Sequence, residues 1–148
     1  MLNKFLTVYS SLLVVLTLNA QANENTCIAI GGTFLAESID ENNRLLAATG
    51  NFTSAHVLVI EKKKTETGLN LSTQHMFVDG KGGVIKTQDS LVLTAVPGKD
   101  QAYMVEATYN VVESKGTFAG YKGQFNSFGL AKLGEIKAIL HYSGRLCQ

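Results

Sequence analysis

Along most of the chain, apolar and polar residues trade places at every second position. The clearest case runs from Leu69 to Asp79. Leu69, Leu71, Thr73, His75 and Phe77 fall on one face there, and Asn70, Ser72, Gln74 and Met76 on the other. Successive side chains of an extended backbone point to opposite faces, so this pattern predicts a β-strand with one side buried. Gln101 to Val112 repeats it, with Tyr103, Val105, Ala107, Tyr109 and Val111 on the apolar side and Met104, Glu106, Thr108 and Asn110 on a mixed side. Ile136 to Cys147 does so again through Ile136, Ala138, Leu140, Tyr142 and Leu146. Looser strand patterns cover Ile28–Glu37, Gly50–Lys62 and Val84–Val96, while Arg44–Ala48 reads as a short strand or as part of a loop. Thr117–Leu133 is long for one strand and carries Gly120, Gly123 and Gly129, which predict a sharp bend at a barrel corner. No stretch beyond the N-terminal region has the period of a long amphipathic helix.

Short turn sequences punctuate these runs. Lys62–Gly68 is a charged hairpin tip, and Asp79-Gly80-Lys81-Gly82-Gly83 is a strong turn. Pro97-Gly98 fits the centre of a type II turn, because proline sets the first φ and glycine supplies the positive second one. Gly31-Gly32 marks a bulge or a close backbone approach. About eight long strands with short connections predict an all-β fold, an antiparallel up-and-down barrel of the calycin kind, whose closure removes exposed edges.

The first residues change the domain count. A short basic start, Met1–Lys4, precedes an apolar run, Phe5–Leu18, of about 14 residues, short of the ~20 a spanning helix needs. Asn19-Ala20-Gln21-Ala22 then offers a small-residue cleavage pattern. Residues 1–22 are therefore expected to be a signal peptide, and 23–148 a single barrel domain that is secreted or periplasmic, with no membrane span after cleavage. Loss of Lys4 takes the 13 basic residues to 12, against 12 acidic ones, so the mature chain is formally neutral. A neutral chain without a basic stripe excludes nucleic acid as a partner.

The two cysteines, Cys27 and Cys147, stand at the two ends of that domain. In an oxidising compartment they are expected to pair, making the first and last strands neighbours; two free thiols or an intermolecular bond are the alternatives. Closing a loop of this length contributes about 4–5 kcal/mol in the chain-entropy model. Pairing leaves no cysteine for nucleophilic or metal chemistry.

Candidate chemistry is sparse. His56, His75 and His141 lie on three different predicted strands with no H-x-H pair, so no metal and no cofactor is predicted. Two carboxylates are catalytic candidates. Glu106 sits mid-strand, although alternation puts it opposite the apolar face. Asp89, in Thr87-Gln88-Asp89-Ser90, interrupts an apolar strand as a bulge, rim or catalytic residue. A carboxylate in an apolar lumen can serve as acid or base. Tyr103, Tyr109, Tyr121 and Tyr142, with His75, are candidates to line a ligand pocket, the tyrosines equally to pack a core. There is no G-x-S-x-G and no phosphate-cradling loop.

Ser114-Lys115-Gly116-Thr117-Phe118-Ala119-Gly120-Tyr121-Lys122-Gly123 resembles the glycine-rich signature of the dirigent and allene oxide cyclase barrel superfamily, roughly G-G-T-G-x-F-A-G-A-x-G. Tyr142–Cys147 is similar to the closing strand of bacterial secreted members, and Val84–Pro97 to a strand of the K-T-x-D-x-x-L type. The resemblance implies an eight-stranded, often homotrimeric barrel with an apolar lumen. It also implies one of two activities: ring closure of an unstable epoxide, or guided coupling of radical intermediates. Lys115 stands where a glycine is usual, and the mid-chain cysteine of the cyclases is missing, so the fold carries over and the activity does not. The leading expectation is a barrel that binds a small apolar molecule in its lumen. The alternatives are a cyclase- or dirigent-like enzyme, and a structural barrel filled by its own side chains.

Overall fold

A computed structural model of the chain describes residues 26–133 and 137–148. The expected leader, residues 1–22, and Ile136, the first residue of the expected last strand, lie outside the described residues. The described chain forms eight strands: β1 Cys27–Ser38, β2 Asn43–Gly50, β3 Ser54–Lys64, β4 Gly68–Val78, β5 Val84–Ala95, β6 Ala102–Lys115, β7 Lys122–Lys132 and β8 Lys137–Cys147. Each pairs antiparallel with its sequence neighbours, and β8 returns to β1, closing the barrel. The all-β, disulfide-closed, up-and-down architecture expected from the alternation is the one observed.

The faces also follow the alternation. On β4, Leu69, Leu71, Thr73, His75 and Phe77 point inward while Asn70, Ser72, Gln74 and Met76 are outside. Arg44–Ala48 belongs to a full strand, β2. The Pro97-Gly98 turn is closed by Lys99 N–H donating to the Val96 carbonyl at 3.1 Å, with Gly98 at φ 72°.

One local expectation changes and two open alternatives narrow. Thr117–Leu133 is not one bent strand: a single 3-10 turn, Gly116–Phe118, and a reversal through Gly120 precede β7. The corner is thus made ahead of the strand. Gly31-Gly32 is a close approach and not a bulge, since the β1–β8 ladder runs through both residues without a register shift, the β1–β2 ladder ends at Gly32 opposite Gly50, and Gly31 N–H donates to Asn51 Oδ1 at 2.8 Å. Asp89 is not at a bulge on its own strand either. The ladder from β4 to β5 is regular across it, and the extra residues sit at Ile60 on β3 and Val112 on β6.

Beyond alternation, side-chain size divides the lumen in two. The end where β1 begins and β8 finishes is filled by aromatic rings. Phe34 stacks on Tyr142 at 4.2 Å and on Phe77 at 5.4 Å, and Phe125 stacks on Tyr109 at 4.6 Å. Phe52, from the β2–β3 turn, caps the stack 4.9 Å from Phe77, and Phe118 of the 3-10 turn lies 5.7 Å beyond it. Each such ring taken from water contributes roughly 1.5–3 kcal/mol. Small inward neighbours make room. Gly144 faces Phe125 across the ladder and Gly32 faces Tyr142; a Cβ at Gly144 would collide with the Cβ and backbone of Phe125, and one at Gly32 with the Thr49 carbonyl and the Tyr142 ring. The Tyr142 hydroxyl is fully used, accepting from Phe52 N–H at 3.1 Å and donating to the Thr49 carbonyl at 2.8 Å. Cys27 and Cys147 face each other in the β1–β8 ladder at this end and form the disulfide.

Outside, an apolar row crosses four strands: Leu35 pairs with Ile139, Ile139 with Leu130, and Leu130 with Met104. All four side chains are exposed.

Candidate functional site

Toward the other end the inward residues shrink to aliphatic and small ones. Ala36, Leu46, Val57, Leu71, Leu91, Leu93, Val105, Ala131 and Ala138 are among the walls of a cavity of about 80 Å³. The cavity shares Arg44, Val59, Leu71, Leu93 and Leu133 with a vestibule of about 410 Å³, bounded by the turn Ile39–Asn42, Lys62 and Leu69. The lumen is therefore a funnel: plugged by rings at one end, apolar in the middle, and open at the other, with Arg44 and Lys137 on its wall near the mouth. Asp40 holds the β1–β2 turn at that mouth. Its carboxylate accepts from the Asn43 side-chain amide and from the backbone N–H groups of Asn42 and Asn43. Those bonds, the Asn43 amide first, hold its pKa below the usual carboxylate value, and the Arg44 charge adds to them.

Where the hollow part meets the plug lies a buried polar group. His75 Nδ1 and Asp89 Oδ2 are 2.7 Å apart, with side chains 3% and 0% exposed. The Thr73 hydroxyl donates to the same carboxylate oxygen at 3.1 Å. Ionised, Asp89 only accepts, so the proton between the two belongs on Nδ1. The imidazole is also wedged: its plane lies parallel to Phe77 at 5.1 Å, and the ring of Tyr109 stands edge-on to it at 5.0 Å. The Tyr109 and Ser127 hydroxyls are hydrogen-bonded at 2.9 Å. Burial pushes that phenol's pKa up, against the smaller effect of the Ser127 bond, so it stays protonated. Among the described residues, Asp89 Oδ1 and Thr87 Oγ1 are buried without a partner. His75 Nε2 makes no hydrogen bond to any of them, while the ring lines the cavity.

The hairpin between β4 and β5 explains why the two meet. Asp79 Oδ1 accepts from Lys81 N–H at 2.7 Å and from Gly83 N–H at 2.8 Å, and its other oxygen accepts from the Thr117 hydroxyl. Gly80 and Gly82 take the positive φ values, 73° and 89°, that the turn requires. The turn sets a register in which Thr73 faces Asp89 and Thr87 faces His75. All four side chains point inward, and His75 and Asp89 are diagonal neighbours within bonding reach.

Of the candidates read from sequence, this geometry brings His75, Asp89 and Tyr109 together. Glu106 faces outward on β6, between Val92 of β5 and Phe128 of β7, and is no lumen carboxylate. Tyr142 and Tyr121 are buried in the closed half, away from the cavity wall, and Tyr103 faces inward, partly buried, also off that wall. His56 and His141 lie on outer faces, the latter beside Thr33 Oγ1 at 3.3 Å, so the three histidines do not converge. No three of His, Cys, Asp and Glu form a metal-holding group among the described residues. Thr73, Thr87 and Ser127 escaped the sequence reading. Folding the alternation about Lys81 brings the first two beside His75 and Asp89. Ser127 carries no comparable signal.

Chemically, the arrangement offers one fixed imidazole. Its Nδ1 side is committed to a carboxylate and its Nε2 is free to accept a hydrogen bond or a proton at the foot of an apolar funnel. Comparison of the chain with family models, with curated proteins and with solved structures finds no match in any of the three, so the functional reading rests on this geometry.

Proposed function

We propose that the barrel binds a small, mostly apolar molecule that enters at the open mouth and sets one polar atom on His75 Nε2. The observation that carries this reading is the apolar funnel ending on an oriented polar group. Such a combination of greasy walls and few convergent polar atoms is what small-molecule sites are made of. At about 80 Å³ the inner cavity alone is well below drug-sized pockets, so the ligand's body extends into the vestibule. The plugged half supports the competing reading, a structural barrel filled by its own side chains. The enzymatic alternative now rests on the His75–Asp89 pair, since Glu106 faces solvent. The disulfide supports the expected secreted or periplasmic location, because such bonds persist in oxidising compartments. The exposed row Leu35–Ile139–Leu130–Met104 supports the expected self-association into a homotrimer. Sedimentation as a monomer at micromolar concentration removes that expectation.

Native mass spectrometry of protein purified without denaturation tests the main reading. Extra non-covalent mass is expected on the wild type and is expected to be lost in Ala138→Phe, which fills the cavity wall. A bare wild-type protein that also takes up no small aromatic probe, such as indole, overturns the binding barrel in favour of the filled one.

A further inference from the structure

We propose that His75 is a general base: its Nε2 removes a proton from a small neutral molecule carrying an acidic C–H bond, with Asp89 as the positioning residue. The inference rests on the lumen being a binding site and adds an activity to it.

Three observations carry it. The first is a pair whose burial stability does not explain. A buried carboxylate is costly, and an apolar pair of like volume often packs as well or better. Here only one carboxylate oxygen is bonded. Asp89 Oδ1 and the hydroxyl of neighbouring Thr87 are left without partners among the described residues. The other inward positions of β5, Ile85, Leu91 and Leu93, are aliphatic. The second is immobilisation. Phe77 and Tyr109 fix the imidazole from two directions, and Asp89 fixes the tautomer, so one nitrogen alone is presented. The third is the medium. The walls beside His75, among them Leu71, Leu91, Leu93 and Val105, exclude water from a base and its substrate, and in such a setting fixed charges act strongly.

The step balances without a co-reactant. The substrate C–H bond breaks, its proton goes to Nε2, and the electron pair stays with the carbon. The imidazolium formed faces the Asp89 carboxylate, which stabilises it without taking the proton. Return of the proton to a second atom of the same molecule makes the net change an isomerisation. If the carbanion instead expels an internal leaving atom, the change is an elimination with the proton passing to solvent. The substrate class is a neutral apolar molecule whose C–H is acidified by an adjacent carbonyl or an electron-poor ring.

A nitrobenzisoxazole is the probe. Loss of its ring C–H to a base turns the C–H pair into a nitrile bond and breaks the N–O bond, releasing a coloured cyanophenolate. Turnover by absorbance and binding by calorimetry are measured on the same full-length samples. The wild type is expected to bind and to turn over with saturation. His75→Ala is expected to bind the probe through the apolar walls up to about tenfold more weakly and to lose kcat by about 100-fold or more, the usual scale for a positioned base. His75→Gln, which keeps volume and polarity, replaces it if the alanine variant does not fold. Asp89→Asn is expected to lower kcat about tenfold or more with KM held within about twofold, a split that a merely structural role would not produce. Binding without turnover above the His75 variants overturns the inference and leaves the binding barrel intact. Neither binding nor turnover overturns both. Asp89→Asn losing kcat and raising KM in step with a lower melting temperature removes the positioning role.

Discussion

The two halves of the lumen are made from the same eight strands and the same alternation, yet one is filled and the other hollow. In the closed half, Phe34, Phe77, Tyr109, Phe125 and Tyr142 meet at one level, with Phe52 and Phe118 brought in by turns. In the open half the equivalent inward positions hold Ala36, Val57, Leu71, Leu93, Ala131 and Ala138. Alternation decides which side chains enter a barrel; their volume, level by level, decides whether anything else can. Packing is therefore concentrated at one end, and the other is left hollow. The His75–Asp89 pair stands at the boundary.

The largest effect is expected in the plug. Phe34→Ala or Phe77→Ala removes a ring that is wholly buried and touches several others, and about 3–5 kcal/mol should be lost in urea unfolding. A loss below about 1 kcal/mol would mean the plug is no firmer than the mouth. Next comes the boundary. His75→Leu leaves Asp89 buried and uncompensated and should cost about 3 kcal/mol or more, whereas His75→Leu with Asp89→Leu should recover most of it. Equal stability of single and double variants would show that Asp89 carries no charge in the folded barrel.

Acid provides a smaller test of the closed end. The Thr117 hydroxyl, followed by Lys81 and Gly83 N–H, holds the Asp79 carboxyl below its usual pKa. Its folded value lies below its unfolded one, so its contribution is present above about pH 4 and lost as pH falls below that. Glu113, held down to about 2 by Lys115 and Lys86, loses its share over the same descent. The urea midpoint should be level between about pH 7 and 5 and decline below about 4; Asp79→Asn should make that decline shallower. The smallest effect belongs to the mouth. Leu71→Ala only widens a space that is already open, and about 1 kcal/mol or less is expected, with a change in ligand binding out of proportion to it.

Much of the architecture was legible because it depends on local rules. Period two on Leu69–Phe77 and Tyr103–Val111 settled the faces, Asp79–Gly83 and Pro97-Gly98 settled turns, and Cys27 with Cys147 marked the seam. The filled and hollow halves were not legible, because they depend on which inward residues share a level. Phe34, Phe77, Tyr109 and Phe125 lie far apart in the chain and meet only through the stagger of the ladders. The site falls between these cases. His75 and Asp89 each stood out, and folding one hairpin about Lys81 would have joined them. Asp89 reads as a bulge, rim or catalytic residue because a charge interrupts an apolar strand, and burial beside His75 leaves it in the candidate site. Tyr142 and Tyr109 read alike, since both alternate inward; both rings join the plug, and Tyr109 also reaches the cavity wall.

The bond between Cys27 and Cys147 also bears on how the barrel is assembled. In a linear chain the β1–β8 pairing joins residues that are 120 positions apart at Cys27–Cys147 and 100 apart at Glu37–Lys137, while every other strand pairs with its immediate successor. That one seam raises the mean separation of contacts, and such separation slows folding. Once oxidised, the two ends are linked by a covalent turn whose Cα atoms are 4.0 Å apart, and the distant pairing becomes another neighbouring one. The oxidised domain is then a ring of eight hairpins with no first strand and no last. It should refold faster than its reduced form, and tolerate being opened at Gly98-Lys99 with its old ends joined.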